Sequence, residues 1–181
     1  MQQQHTGTIA ADEEERAWVA AIRTGDADAA GRLYDRYFDR IYRYIALQVR
    51  DPGLAEALTE RVFLQMVQAA GAGPARRETV ATWLYRIAHD LPALASPPRP
   101  DGEPAASRAP DRDREGRRQL WHGIGQLPAP QAQVVLLKCA AGLTNAEVSA
   151  VLNRPLTGIP ALQYRALQRL GNVMEQMGTA R

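Results

Sequence analysis

The chain has 181 residues, of which 45% are hydrophobic and only 6% aromatic, and its net charge is +2. A single cysteine, Cys139, excludes an internal disulfide and a cysteine-based zinc cluster, and the three histidines lack metal-ligand spacing. No apolar run of about 18 residues and no secretory leader is present, so we expect no membrane insertion, no cofactor and a cytoplasmic location. No nucleophile–base pair or phosphate-binding glycine loop stands out, so an enzyme is not expected.

The first half of the chain has the hydrophobic periodicity of helices. The polar segment 1–14 has no such period and is predicted to be disordered. Residues 15–92 predict four helices with short connections, which make a compact all-α domain. The inward positions are Leu33, Tyr37, Ile41, Tyr44 and Gln48 in the second helix, Leu58, Val62, Phe63, Met66 and Val67 in the third, and Val80, Trp83, Leu84, Ile87 and Leu91 in the fourth.

A proline-rich stretch divides the chain. Residues 92–118 hold six prolines and many charges with hardly any large apolar side chains, so 93–117 are predicted to be a flexible linker. Helical periodicity resumes in 118–178, which we predict to be a second small helical domain. The sequence therefore predicts an all-α protein of two domains.

The distribution of charge limits what the chain binds unaided. Residues 11–95 carry eleven arginines against thirteen acids, whereas residues 119–181 carry five basic and two acidic residues. Affinity for duplex DNA comes largely from neutralised phosphates. A chain this close to neutral is expected to bind DNA weakly alone, so a role on DNA requires a partner.

Two short helices in tandem follow Leu143. Thr144 and Glu147 form a capping-box pattern, which predicts a helix from Asn145 to about Leu152. The next helix has inward positions Ile159, Leu162, Ala166, Leu170 and Val173, and an outer face of Ala161, Tyr164, Arg165, Gln168 and Arg169. This is the pattern of a helix-turn-helix, although two helices of an ordinary bundle give the same periodicity. Pro160 is tolerated if the second helix begins near Thr157, and we favour that start over Pro155.

Four segments together resemble the extracytoplasmic-function (ECF) sigma factors of bacterial RNA polymerase. "LYDRYFDRIYRYI" resembles the first conserved helix, "AEALTERVFLQMV" the helix that docks on the polymerase clamp, and "TWLYRIAHDL" the segment that opens the promoter. "LPAPQAQVVLLKCAAGLTNAEVSAVL" with "ALQYRALQRL" resembles the C-terminal domain that reads the distal promoter element. The segments stand in the family's order, with a linker in its usual place. The two predicted domains are thus similar to sigma regions 2 and 4.

The resemblance implies a function, partners and site residues. It implies an alternative sigma factor that binds the clamp and flap regions of core RNA polymerase, contacts promoter DNA and is held silent by an anti-sigma factor. The implied polymerase contacts are Glu56, Glu60, Arg61 and Gln65. The implied DNA contacts are Trp83, Arg86, His89 and Asp90 in the first domain, and Thr144, Thr157, Gly158, Ala161, Tyr164, Arg165, Gln168 and Arg169 in the second.

Departures from the family pattern motivate an alternative. Ala57 and Arg61 stand where members usually have acids, and Asp90 stands where an asparagine is usual. Pro92 ends a helix that members continue, and Pro160 replaces a basic residue. The alternative is a degenerate sigma-like regulatory protein that no longer initiates transcription efficiently. A plain helix-turn-helix repressor is a third option, but it would bind duplex DNA tightly without polymerase.

Several of these residues also have a purely structural interpretation. The three tryptophans, Trp83 among them, are expected chiefly to anchor the core. His89 is expected to be a solvated residue at a helix end, and Cys139 a buried small hydrophobe. The acids of 12–15 are expected to be a solvated helix start.

Overall fold

The computed structural model describes the backbone of residues 3–49, 51–91 and 114–179, and the side chains of residues 11–49, 51–91 and 119–176. Within these ranges all regular secondary structure is helical, which confirms the all-α prediction. The helices are α1 Gln3–Ile22, α2 Ala27–Val49, α3 Pro52–Ala69, α4 Val80–His89, α5 Arg114–Gly125, α6 Ala129–Cys139, α7 Asn145–Val151 and α8 Gly158–Thr179. Most of the predicted linker, residues 93–113, lies outside the described residues.

Helix α2 is the centre of the first group of helices. It packs against α1, α3 and α4, because its apolar positions recur at every third or fourth residue over six turns. All five predicted inward residues of α2 are buried. In α3, Val67 was predicted to point inward but is 44% exposed, so that prediction is wrong. The buried row of α3 passes through Val62 and Met66, and Val67 lies about 100° further round the helix.

The acids near the start of the chain are not simply solvated. Helix α1 begins at Gln3, within the segment predicted to be disordered, because no proline interrupts it and a helix extends more easily than it nucleates. The predicted solvated acid run is wrong for Glu15, which is buried against α2. Its carboxylate accepts hydrogen bonds from the Tyr37 hydroxyl at 2.8 Å and from Arg36 Nη1 at 3.0 Å. Arg36 also stacks on the Trp18 ring at 4.4 Å, so one polar cluster joins α1 to α2.

Local sequence signals fix the ends of α3 and α4. Asp51 caps α3 by accepting a hydrogen bond from the Leu54 amide at 2.8 Å, and Pro52 occupies the first helical position, where it needs no N–H. Thr79 caps α4 in the same way, with the Thr82 amide as donor at 3.1 Å. The Thr79 cap fixes the residue at which α4 begins. Helix α4 carries several of the candidate DNA contacts.

Helices α6 and α8 are the main pair of the second group, with α5 packed on α8 and α7 on both. Helix α5 begins at Arg114, before the start at 118 that the sequence predicts. Cys139 is exposed, not buried as predicted, because it is the last residue of α6 and the chain turns away at Gly142 with a φ of 70°. The α5–α8 contact is very close, since a Cβ added to Gly123 would lie 2.6 Å from Leu170 Cδ1.

The two groups of helices touch. Helix α4 packs on α7, and α2 packs on α6. The buried apolar residues of both groups form one continuous cluster that runs from Val19 to Leu170. The boundaries of two separate domains, at 92 and 118, stay a prediction.

The Gly123–Leu170 contact predicts how a larger residue affects stability. We expect Gly123→Val to lower the free energy of unfolding by about 1–3 kcal/mol, because its side chain overlaps that of buried Leu170. Urea denaturation followed by circular dichroism measures the change.

Gly171→Ala is the matched control in the partner helix. A Cβ at Gly171 meets nothing within 4 Å, so alanine there should raise stability by about 0.5–1 kcal/mol through helix propensity. A Gly123→Val protein as stable as the wild type would contradict the close packing of α5 on α8.

Candidate nucleic-acid interface

Helix α7 begins with the capping box that the sequence predicts. The Thr144 hydroxyl accepts a hydrogen bond from the Glu147 amide at 3.3 Å, and Glu147 Oε2 accepts one from the Thr144 amide at 2.8 Å. Val148, Val151 and Leu152 are buried, as predicted. The helix therefore has a defined start and one face fixed in the core.

A tight turn links α7 to α8. Asn153 has a positive φ of 48°, a conformation that asparagine adopts more readily than most residues. The Ser149 hydroxyl donates to the Arg154 carbonyl at 2.6 Å, and the Arg154 amide donates to the Ser149 carbonyl at 3.0 Å. These bonds hold the two helices in the helix-turn-helix arrangement, which confirms that prediction.

Helix α8 begins at Gly158, close to the start that we favour from the sequence. Pro160 is therefore the third residue of the helix and lies in its first turn, where its missing N–H breaks no hydrogen bond within the helix. Pro160 is exposed, and α8 continues past it as one helix to Thr179. The neighbouring candidate Thr157 is exposed, and Gly158 is half-buried.

The outer face of α8 is exposed along its first three turns. All five predicted outer residues are exposed, Tyr164 to 63%, whereas Ile159, Ala166 and Leu170 are buried. Gln168 Nε2 donates to the Tyr164 hydroxyl at 2.7 Å, and Arg165 Nε donates to the Ala161 carbonyl at 3.2 Å. The face thus presents two arginines, an amide and a phenol, groups that bind phosphates and base edges.

The candidate DNA contacts of α4 are less accessible. Trp83 is 3% exposed, which supports its interpretation as a core anchor and leaves no ring face for a base. Arg86 pairs with Glu78 through Nε at 2.9 Å and Nη2 at 3.0 Å. Burial alone would raise the pKa of Glu78, but the hydrogen bonds from Arg86 and the Ala75 amide outweigh it and lower that pKa. The Arg86 guanidinium is therefore already paired, and of the DNA-contact candidates in α4 and its C-cap only Asp90, the C-cap residue, is exposed.

His89 is half-buried, so its prediction as a solvated residue is wrong. Its Nδ1 atom is buried with no hydrogen-bond partner among the described residues. Burial lowers the pKa of His89 below its usual value, and the Asp90 carboxylate offsets part of that effect. The ring of His89 is partly covered because its neighbours in the sequence, Ala88 and Leu91, are buried in the core.

The candidate polymerase contacts lie on the outer face of α3. Glu56, Glu60 and Arg61 are exposed, and Gln65 is half-buried. The same side of α3 exposes Leu54 and Leu64, the latter 59% exposed, which sequence reasoning missed. The sequence does contain a signal for them, because both leucines fall outside the helical spacing of the buried residues of α3. The face combines acids, one base and apolar surface.

Two further features of the structure concern membranes and metal ions. In the described part of the chain, no helix combines the length and apolar character of a membrane span. The same residues contain no group of three or more metal-binding side chains.

The lowered pKa of His89 predicts a pH effect on stability. Protonation of this imidazole is less favourable in the folded protein than in the unfolded chain, which binds a proton near pH 6.5. Stability should therefore fall as pH drops below about 6.5, and His89→Gln should lose less stability than wild type between about pH 7.5 and 5.5. Urea denaturation at both pH values measures the difference, with His122→Gln as the control for loss of a histidine elsewhere. Equal losses in wild type and His89→Gln would contradict this assignment.

Comparisons with known proteins agree with the geometry. Residues 117–170 match the family model for sigma-70, region 4, a range that contains the helix-turn-helix. The chain is 31% identical over 169 residues to the ECF RNA polymerase sigma factor BldN of Streptomyces coelicolor, covering 86% of this chain and 64% of BldN. It is also 31% identical over 141 residues to the RNA polymerase sigma factor CarQ of Myxococcus xanthus, covering 72% of this chain and 80% of CarQ.

A solved structure supports the fold. CnrH, in a complex with the cytosolic domain of CnrY, superposes with a TM-score of 0.72 over 90% of this chain and 98% of CnrH, at 16% identity. That identity shows a shared fold alone. The similarity to CarQ over most of its length, together with the region 4 match on the helix-turn-helix, shows that this chain belongs to the ECF sigma factor family.

Proposed function

We propose that this chain binds core RNA polymerase and directs it to specific promoters for transcription initiation, acting in the cytoplasm. The observation that carries the proposal is the exposed outer face of α8, because it lies in the segment that matches sigma-70 region 4. The chain is not an enzyme in this account, since members of its family act as subunits of RNA polymerase.

Helix α8 would enter the major groove at the distal promoter element. The exposed arginines Arg165 and Arg169 lie one turn apart, with Gln168 between them on the same side. Arginine and glutamine are the side chains that make paired hydrogen bonds to guanine and adenine, respectively. Thr144 and Thr157, both exposed near helix starts, would contact phosphates and position α8.

The outer face of α3 would dock on the polymerase. Leu54 and Leu64 supply apolar area, and Glu56 and Glu60 supply charge beside it. A stable interface has an apolar centre and a polar rim, and this face offers both within one helix. With a net charge of only +2, the chain depends on the polymerase for its affinity to a promoter.

The α4 residues contribute least to this proposal. Asp90 is exposed and Arg86 is half-buried, so both are near enough to the surface to meet DNA beside the start site. Arg86 would have to exchange Glu78 for a phosphate.

Arg61 favours a second candidate function. It is exposed on the α3 face, at a position where members of the family usually carry an acid. A reversed charge there weakens a contact built for an acid, which is what a sigma-like regulatory protein without efficient initiation would show.

An inhibitory partner fits the first function. CnrH, whose fold this chain shares, was solved in a complex with the cytosolic domain of CnrY. We propose that an anti-sigma protein binds this chain comparably and holds it inactive.

Polymerase binding and transcription together test the proposed function. We expect the purified chain to co-purify with core RNA polymerase and to yield run-off transcripts from a subset of genomic promoter fragments. Binding without any transcript would favour the regulatory alternative. Tight binding to bare duplex at physiological salt, without polymerase, would instead favour a repressor.

The two exposed arginines of α8 predict a change in salt dependence. Arg165→Ala with Arg169→Ala should weaken binding of the holoenzyme to promoter DNA and reduce the slope of log K against log salt by about 2. Arg23→Ala, at an exposed arginine in the turn after α1, is the control for loss of positive charge. An unchanged slope in the double variant would contradict DNA contact through this face.

The α3 face predicts a change in polymerase affinity. Arg61→Glu should tighten binding to core polymerase about fivefold or more, because it restores the charge that this docking surface usually carries. Arg23→Glu applies the same charge reversal outside the face and should leave the Kd unchanged. Fluorescence titration with labelled protein measures both, and identical Kd values for Arg61→Glu and wild type would remove α3 from the interface.

A further inference from the structure

We propose that the chain locks itself closed through Glu147, which holds the N-terminus of α4 against the N-terminus of α7 and so restrains promoter engagement. This proposal rests on the proposed function, because it concerns how the DNA-reading helices become available.

Glu147 divides its carboxylate between the two groups of helices. Oε2 accepts hydrogen bonds from the amide and the hydroxyl of Thr144, each at 2.8 Å, and so completes the capping box of α7. Oε1 faces α4 and accepts hydrogen bonds from the hydroxyls of Thr79 and Thr82, each at 3.3 Å. Thr79 and Thr144 are the N-caps of their helices, so one carboxylate lies at two helix N-termini, where negative charge is favourable.

The packing around this carboxylate is close. Thr82 is 1% exposed although its side chain is polar, because α7 packs on α4. A buried hydroxyl without a partner is unfavourable, and the Thr82 hydroxyl has two partners, the Thr79 hydroxyl at 2.8 Å and Glu147 Oε1 at 3.3 Å.

A second contact joins the two groups from the other side. Arg40 Nη2, on α2, donates to the Ala141 carbonyl at 3.3 Å, just beyond the end of α6. The Arg40 guanidinium also lies 5.4 Å from the centre of the Tyr37 ring. Each of the two contacts joins a residue of the first group to a residue of the second: Arg40 and Ala141 are 101 residues apart in the sequence, and Thr82 and Glu147 are 65 residues apart.

The closed arrangement conflicts with reading two separate promoter elements. In the proposed function, α4 contacts DNA near the start site, and α7 with α8 contacts the distal element. Here α4 packs directly on α7, so the two reading helices are neighbours within one continuous core. Separation of α4 from α7 is therefore required before both elements are engaged, and polymerase binding would supply the free energy for it.

Residue 82 allows a sharp test. It is the third residue of α4, so Thr82→Glu recreates the pattern of a capping box with Thr79 and supports the helix, while it places a second carboxylate beside Glu147. Thr82→Gln has nearly the same size and capping ability but no charge, so it controls for the added bulk. Glu147→Gln in the Thr82→Glu background removes the repulsion and should restore closure.

Energy transfer between two dyes reports the opening. One dye is attached to the native exposed Cys139 on α6, and the other to the cysteine of an Asp28→Cys variant, at an exposed position on α2. We expect a single short distance in wild type. The ratio of open to closed molecules should be at least about tenfold higher in Thr82→Glu than in Thr82→Gln, and the double variant should return towards Thr82→Gln.

The same variants are then titrated with core polymerase. We expect Thr82→Glu to bind more tightly than Thr82→Gln, because less free energy is needed for opening. Equal dye distances in Thr82→Glu and Thr82→Gln, or opening without any gain in polymerase affinity, would overturn the proposal. Failure of every variant to bind polymerase, with the dye distances as expected, would instead overturn the proposed function. Arg40→Gln, at an exposed residue, gives an independent route to partial opening if Thr82→Glu does not fold.

Discussion

Burial of the apolar side of α2 is the constraint on which the rest of the structure depends. The side chains of Leu33, Ile41, Tyr44 and Ile45 are fully buried, and three other helices of the first group pack around them. Tyr44 meets Tyr85 of α4 edge to face, with ring centres 5.4 Å apart. Because α2 also contacts α6, the same helix orders the first group and supports its contact with the second. Burial of this size is the dominant favourable term in folding.

Three carboxylates make directional contacts at helix ends or between helices, in addition to the apolar packing. Glu15 joins α1 to α2, Asp51 starts α3, and Glu147 serves both α7 and α4. Each carboxylate accepts more than one hydrogen bond or lies at a helix N-terminus, so its burial or positioning is compensated. These contacts define the directions of helices whose outer faces carry the candidate polymerase and DNA contacts.

Features that depend on neighbouring residues could be predicted from the sequence. The helical class, the capping box at Thr144 and the late start of α8 before Pro160 all follow from periodicity and backbone chemistry within a few residues. Burial of Glu15 and exposure of Cys139 could not be predicted, because each depends on which distant helix covers the position. The bonds from Thr79 and Thr82 to Glu147 span more than sixty residues of sequence, and no local pattern indicates them. For the candidate site, the outer face of α8 could be predicted from the sequence, and the ion pair between Arg86 and Glu78 could not.

The absence of a side chain at Gly123 determines how closely α5 and α8 pack. Because the end of the Leu170 side chain lies where a side chain at residue 123 would begin, α5 and α8 approach each other more closely here than a larger residue would allow. Helix α5 follows directly on the stretch that connects the two groups, and α8 carries the exposed arginines. The position of α5 against the arginine-bearing helix therefore depends on residue 123 having no side chain.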